Sequence, residues 1–172
     1  TQFDTTASQL YSLSSQTKSI LADLEDDVTI YWIVQSGQED TTLETLLDRY
    51  AALSGHIKIE QVDPDVSPTF MEQYSIDTLY NNSLVVESDL RHTYVGYDTI
   101  YQYDYGDDYS SYNVSFAGES ALTSAVDYVV SDTLPKLYLL SGHGEQTLSS
   151  DIQSAVEQQN IEVESLSLLT QE

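Results

Sequence analysis

The fold is decided by residues 28–64, which open with the run Val28-Thr-Ile-Tyr-Trp-Ile-Val34. This nearly continuous series of β-branched and aromatic side chains predicts a buried strand. Apolar side chains then recur with helical period across residues 41–54, and Ile57-Lys-Ile-Glu-Gln-Val62 predicts a second strand. A strand, a helix and a strand in this order form a βαβ unit, whose two strands run parallel.

Both ends of this helix carry sequence signals. We expect Thr41 to be its N-cap, with Glu44 three residues later completing a capping box. Gly55 stands where a helix commonly ends in a left-handed residue. Both ends of the helix that connects the two strands are therefore predicted from the sequence.

The segments around the βαβ unit predict a thioredoxin-like domain. After it come a helix that starts at Pro68, two short strands forming a hairpin, and a helix with a buried apolar stripe. Their predicted spans are residues 67–74, 83–87, 91–95 and 118–131, and a short helix over residues 15–25 precedes the unit. The order β-α-β-α-β-β-α is that of thioredoxin-like α/β domains.

Thiol chemistry is excluded because the chain has no cysteine. Redox members of this fold carry a Cys pair between the first strand and its helix, where this chain has Ser36-Gly-Gln-Glu39. They also usually carry a cis-proline before the strand that starts here at Ser83, and no proline precedes it. A binding or structural role remains for the scaffold.

A domain boundary is predicted at Leu134-Pro135, because proline cannot continue the preceding helix. Beyond it, residues 136–166 predict a second βαβ unit. We therefore divide the chain into a thioredoxin-like domain, residues 1–134, and residues 135–172. The latter are either the beginning of a second, truncated α/β domain or an extension that packs onto the first.

The charge balance restricts the partners. There are 29 acidic and 5 basic residues, for a net charge of -24, spread along the whole chain. Such a surface repels nucleic acid and anionic lipids, so we expect no nucleic-acid partner. No apolar run approaches the ~20 residues that cross a bilayer. Because the first residue is Thr1, we expect a soluble portion of a protein whose membrane anchors lie outside this sequence.

Two segments are candidates for a ligand or interface site. Gly142, His143, Gly144 and Glu145 follow a predicted strand and precede a helix, where α/β folds often bind ligands. The alternative for this segment is a tight turn that needs glycine.

The second candidate segment is rich in tyrosine. Tyr101, Tyr103 and Tyr105 lie in a possible edge strand over residues 100–105, followed by a surface loop over residues 106–113. The rings either form an aromatic platform for sugar or protein, or pack on the domain with their hydroxyls in water.

No catalytic, metal or cofactor site is predicted. The chain lacks a G-x-S-x-G motif, and its three histidines share no spacing typical of zinc ligands. Asp104, Asp107 and Asp108 are weak candidates for a calcium site, although turn chemistry also accounts for aspartate beside glycine. Paired carboxylates of a hydrolase are not recognisable in so acidic a sequence.

Seven motifs, in order along the chain, resemble the GldG-type auxiliary proteins of ABC transport systems. They are Leu10-Tyr-Ser-Leu-Ser-Ser-Gln-Thr-Lys-Ser-Ile-Leu21, Val28-Thr-Ile-Tyr31, Leu46-Leu-Asp-Arg-Tyr-Ala51, Val62-Asp-Pro64, Asn82-Ser-Leu-Val-Val86, Gly118-Glu-Ser-Ala-Leu-Thr-Ser-Ala125 and Leu140-Ser-Gly-His-Gly-Glu145.

The resemblance implies a membrane-anchored bacterial protein whose extracytoplasmic region works beside an ABC permease and ATPase. It implies a protein-interaction scaffold without a cofactor, and it supplies no catalytic residues. A module that binds a solute or glycan for the transporter is one alternative. A hydrolase whose site is completed by a further C-terminal part is the other.

Overall fold

Strand β1 (Val28–Ile33) lies in the interior of a four-stranded sheet. The computed structural model describes residues 13–76, 80–105, 112–141 and 161–167, together with residues 149, 152 and 156. The chain divides into two compact units, Thr1–Val130 and Ser131–Glu172. The helices and strands described in the first unit are α1 (Ser15–Ala22), β1, α2 (Thr41–Leu53), β2 (Ile57–Val62), α3 (Pro68–Gln73), β3 (Ser83–Glu87), β4 (His92–Val95), α4 (Tyr97–Ile100), β5 (Tyr101–Tyr105), β6 (Tyr112–Phe116) and α5 (Gly118–Val130).

The sheet has the strand order β2-β1-β3-β4. Strand β1 is parallel to β2 and antiparallel to β3, and β3 is antiparallel to β4. Helix α2 follows β1, α3 follows β2, and α5 follows β4. This is the βαβαββα topology of a thioredoxin-like domain, and the predicted fold class is confirmed. Helix α4 and the β5–β6 hairpin are inserted between β4 and α5.

The hairpin corrects the prediction for the tyrosine-rich segment. In the described part of the chain, β5 pairs with β6 in a separate two-stranded sheet and is not an edge of the main one. Tyr112 and Asn113, which were predicted to lie in the surface loop over residues 106–113, belong to β6. Alternation along a strand indicates its two faces but does not indicate its pairing partner.

Helix α2 begins and ends differently from the prediction. Its N-cap is Asp40, whose carboxylate accepts a hydrogen bond from the N–H of Leu43, so the capping box at Thr41 was wrong. The helix ends at Ser54 in an extended conformation, and Gly55 is not left-handed. The chain turns directly into β2, which makes a left-handed residue unnecessary.

The two faces of the sheet bury different side chains. On one face, Ile30, Trp32 and Val86 pack with the apolar sides of α2 and α5 in the main core. On the other face a smaller cluster joins Ile33 and Val85 to α3 and its C-cap. The helix pair and the short helix α3 therefore close the sheet on opposite sides.

The second unit contains β7 (Lys136–Ser141) and β8 (Glu162–Ser167), which pair in parallel. Parallel pairing agrees with the predicted second βαβ unit. The ammonium of Lys136 lies 3.5 Å from the carboxylate of Glu162. Most of the intervening predicted helix lies outside the described residues, and the separate-domain interpretation stays a prediction.

Asn82 holds the loop after β1 against the start of β3. Its side-chain oxygen accepts hydrogen bonds from the indole N–H of Trp32 at 3.1 Å and from the backbone N–H of Asp40 at 3.0 Å. Its amide donates to the carbonyl of Gln38 at 2.9 Å. Asn82 is buried and has a φ of 66°, a left-handed conformation that asparagine tolerates better than most residues.

A buried polar network joins α1, α2 and α5. The hydroxyl of Tyr50 bonds to that of Thr123, which lies 2.9 Å from the hydroxyl of Thr17. Burial raises the pKa of Tyr50 to about 12. Burial by itself would raise the pKa of Glu119, but hydrogen bonds from the Ser14 N–H at 2.7 Å and the Thr17 hydroxyl at 2.8 Å outweigh it and lower that pKa.

Replacing Asn82 should destabilise the protein strongly. Asn82→Ala leaves the buried Trp32 N–H unpaired, which costs ~1–3 kcal/mol, and replaces asparagine by alanine, which tolerates the left-handed conformation less well, at a cost of ~1 kcal/mol. We expect the free energy of unfolding, measured by urea denaturation, to fall by about 3 kcal/mol. Asn82→Gly, which relieves only the backbone cost, should recover about 1 kcal/mol. A change within ~0.5 kcal/mol for Asn82→Ala would contradict this role.

The Glu119 carboxylate should make stability depend on pH. Since its pKa is lower in the folded protein than the usual 4.5, its ionised form stabilises the fold above that pH, and this contribution is lost as the pH falls through the folded pKa. We expect Glu119→Gln to lower the free energy of unfolding at neutral pH and to converge with the wild type in acid.

The matched control is Glu72→Gln, which removes one negative charge from an exposed position on α3. It should not lower the free energy of unfolding at neutral pH, because its expected effect is only to reduce the overall repulsion in an acidic protein. Parallel pH profiles for the two variants, measured by denaturant unfolding, would refute the assigned role of Glu119.

Candidate functional site

One face of the β5–β6 hairpin consists of aromatic and apolar side chains. Directly opposed residues in an antiparallel pair point to the same side, and Tyr101 faces Phe116 while Tyr105 faces Tyr112. We call the tyrosine surface the following set of rings: Tyr97, Tyr101, Tyr103, Tyr105 and Tyr112. The opposite face carries Gln102, Asp104, Asn113 and Ser115, so the hairpin is amphipathic.

The outer half of the tyrosine surface is exposed. Tyr103 is 44% exposed, Tyr105 56% and Tyr112 57%. The ring centre of Tyr112 lies 5.8 Å from that of Tyr103 and 6.0 Å from that of Tyr105. Through these tilted contacts the rings of Tyr103, Tyr112 and Tyr105 support one another, and we call these three rings the tyrosine ladder.

The inner half of the tyrosine surface is anchored to the domain. Tyr101 packs against the main core, with its ring 5.1 Å from that of Phe116 and 5.0 Å from that of Tyr97. Its hydroxyl donates a hydrogen bond of 2.7 Å to the carboxylate of Asp40. Burial first, and then this bond to Asp40, raise the pKa of Tyr101 well above its usual range. Tyr101 is thus a neutral donor at physiological pH.

Helix α4 and β4 connect the tyrosine surface to the start of β3. The backbone N–H of Tyr97 and the hydroxyl of Tyr94 both donate to the hydroxyl oxygen of Ser83, at 3.1 and 3.0 Å. Burial raises the pKa of Tyr97, and so does its hydrogen bond with Tyr103. These hydrogen bonds therefore fix the position of Tyr97 at the inner end of the tyrosine surface.

Beside the tyrosine surface lies the edge of the sheet where β1 and β2 end. Redox thioredoxin-like proteins carry their cysteines there, and this chain has polar residues instead. The N–H of Gln35 bonds to the side-chain oxygen of Asn81 at 2.9 Å, and the Gln35 amide bonds to Asp65 at 2.9 Å. The N–H of Ser36 bonds to Asp63 at 3.1 Å, and Gly37 takes a φ of 88° in the turn. These groups hold the loop together by bonding to one another.

The predicted site residues have different outcomes. The structure places Tyr101, Tyr103 and Tyr105 on one face, but only Tyr103 and Tyr105 are well exposed. Gly142, His143, Gly144 and Glu145 lie outside the described residues. So do two of the weak calcium candidates, Asp107 and Asp108. Asp104 is exposed on the polar side of the hairpin, and no three His, Asp or Glu side chains in the described ranges come together to hold a metal.

A groove of about 640 Å³ lies between α1, α2 and α5 and was not predicted. Arg49, Asp127 and Glu119 contribute charges to its lining, and Phe116 contributes an aromatic wall. The remaining lining is rich in hydroxyl groups, including those of Ser14, Thr17, Thr42, Ser120, Thr123 and Ser124. Such a mixture suits a small polar ligand.

Sequence reasoning also missed the contributions of Asp40, Asn82 and Tyr112 to the region around the tyrosine surface. Asp40 precedes a predicted helix, and an aspartate there is a common cap, so its position was detectable. Tyr112 is opposite Tyr105 only because of the hairpin register. Its role depends on pairing, which has no signal of its own in the sequence.

None of the helices in the described part of the chain is both long and apolar enough to cross a membrane. That result concerns these residues alone.

Solved structures with some similarity to the chain include those of an alkylhydroperoxide reductase and of ERdj5. The NTD_N/C domain of alkylhydroperoxide reductase AhpF from Enterococcus faecalis has a TM-score of 0.49 at 19% identity, over 87% of this chain and 75% of that one. A mutant of the same AhpF subunit gives 0.49 at 20% identity, with the same coverages. ERdj5, form I, gives 0.37 at 11% identity, over 91% of this chain and 20% of that one. With such scores, the fold assignment rests on the strand order.

No curated protein matches the chain. A family model described as "Domain of unknown function (DUF7088)" matches residues 7–96, which is more than half of the 172 residues. The match takes in the four strands of the main sheet and ends directly before α4 and the tyrosine hairpin. The chain therefore belongs to the DUF7088 family.

Proposed function

We propose that this chain is a non-enzymatic, extracytoplasmic domain of a membrane-anchored accessory subunit of an ABC transporter, and that it acts as a protein-interaction scaffold. The exposed tyrosine ladder of the inserted hairpin is the observation that carries the scaffold role. The seven motifs that resemble GldG-type auxiliary proteins support the transporter context. The permease and ATPase of the same system are the proposed partners.

The tyrosine surface has the properties of a protein contact. Tyr103, Tyr105 and Tyr112 each expose about half of a large amphipathic side chain. Tyrosine is enriched at interfaces because it buries much area, keeps a polar end and loses little conformational entropy. Anchoring through Tyr101 lowers the entropy cost further, since the hairpin is already positioned.

The polar edge of the sheet supports a role without catalysis. The absence of cysteine removes the thiol chemistry of redox thioredoxin-like proteins. In place of a nucleophile with a positioned base, Gln35 in the loop after β1 bonds to the side chain of Asn81, and the backbone of the same loop bonds to the side chain of Asp63. These groups contribute rigidity next to the tyrosine surface.

The groove between α1, α2 and α5 favours the alternative, a module that binds a solute or glycan for the transporter. Its volume of about 640 Å³ is in the range of small-molecule sites, and its hydroxyl-rich lining offers hydrogen bonds. A thermal-shift screen of sugars, peptides and ions tests it, because a ligand of the native state raises the melting temperature. Stabilisation that disappears in Gln16→Trp, which narrows the groove, would favour this alternative over the scaffold.

Affinity purification of the full-length protein from gently solubilised native membranes tests the leading proposal. We expect a permease and an ATPase to co-purify in stoichiometric amounts, as identified by mass spectrometry. Tyr103→Ser with Tyr112→Ser should reduce their recovery, because losing central aromatic contacts weakens binding by about 2 kcal/mol or thirtyfold.

The matched control is Val66→Ser, which removes an apolar side chain that is 78% exposed before α3. Its recovery of partners should equal that of the wild type. A wild-type protein that purifies without transporter subunits would refute the transporter role. Equal losses in the tyrosine and Val66 variants would refute the assignment of the contact to the tyrosine surface.

A further inference from the structure

We propose that the tyrosine surface binds an extended, arginine-containing segment of a partner protein, with arginines at every second residue. This inference rests on the proposed function, since it assigns the chemistry of the partner to the same surface. It follows from the charge around the hairpin, the electronic character of its rings and their spacing.

The segment of the chain that contains the hairpin carries acidic residues and neither lysine nor arginine. Residues 94–112 contain seven tyrosines and four aspartates, and neither lysine nor arginine occurs anywhere from residue 92 to residue 135. The whole chain carries a net charge of -24. An acidic partner would be repelled, whereas a cationic segment would be attracted and its association accelerated.

The rings are suited to a cation in particular. The face of a tyrosine ring is the negative end of its quadrupole and attracts a guanidinium or ammonium group. Tyr103, Tyr105 and Tyr112 expose rings next to one another, so a bound cation meets more than one. Arginine is favoured over lysine because its planar, weakly hydrated group stacks on aromatic rings.

The same pairing occurs inside the protein. The guanidinium carbon of Arg91 lies 5.3 Å from the ring centre of Tyr128, and the guanidinium donates a hydrogen bond of 2.7 Å to the Tyr128 carbonyl. This contact is an example within the chain of an arginine placed over a tyrosine ring.

The spacing of the ladder matches an extended partner. Tyr103 and Tyr105 are two residues apart on β5, a rise of about 6.8 Å along a strand. An extended segment repeats its same-side side chains at every second residue and at this same distance. Arginines at alternate positions can therefore occupy successive rings while the residues between them face away.

The test uses the 172-residue chain and a short fluorescent peptide of alternating serine and arginine, with binding followed by anisotropy at physiological ionic strength. We expect saturable binding that the same peptide with citrulline in place of arginine does not show. Tyr103→Leu with Tyr112→Leu should weaken binding about tenfold, because each exposed cation–π contact is worth a few-fold in affinity.

The matched control is Tyr103→Phe with Tyr112→Phe, which keeps the rings and the net charge. It should bind within about twofold of the wild type. Circular dichroism melting confirms that both variants fold. Equal affinities for the Leu and Phe variants would overturn the proposal, since binding would then reflect net charge alone. Absence of peptide binding, or binding of neutral oligosaccharides in its place, would overturn it as well.

These outcomes are separable from the transporter role. Peptide binding with no permease in the membrane purification would leave the arginine site in place and refute the transporter context. Co-purification of the permease without arginine-peptide binding would support the transporter context and refute the arginine site.

Discussion

The burial of strand β1 on both faces is the constraint on which the rest of the structure depends. Val28, Ile30 and Ile33 are fully buried, and the strand is hydrogen-bonded to β2 on one side and β3 on the other. Buried backbone groups without partners are costly, so β1 requires both neighbours. The parallel neighbour in turn requires the crossover helix α2, and the two apolar faces require α5 and α3 to cover them.

The tyrosine surface is tied to this framework through Asp40. One carboxylate oxygen of Asp40 accepts from the Leu43 N–H at the start of α2, and the other accepts from the Tyr101 hydroxyl. Asn82 holds the same loop through the Asp40 backbone. The edge that carries cysteines in redox proteins of this fold is therefore a support for the inserted hairpin. Because the DUF7088 match ends before α4, this hairpin lies beyond the part that defines the family membership.

Most elements of the main sheet were predictable because their signals are local. Apolar periodicity gave the βαβ unit, Pro68 begins α3 as predicted, and the hairpin of β3 and β4 has the expected pairing. The predictions of the N-cap of α2 and of the pairing of β5 were wrong, and each has its own cause. Asp40 and Thr41 are both good caps, and the path of the chain out of β1 decides between them. The pairing of β5 with β6 depends on residues that are seven to fifteen positions apart, which no local pattern reports.

The sequence by itself determined the fold class, the acidic charge and the absence of thiol chemistry, because these depend on residue type and on periodicity along the chain. Only the tertiary structure decided which tyrosines are available to a partner. Tyr101 and Tyr103 share one face of β5 and have the same local pattern, yet the first is anchored on the core and the second is exposed. The physical reason is that burial depends on which distant elements cover a side chain, here Asp40 and Phe116.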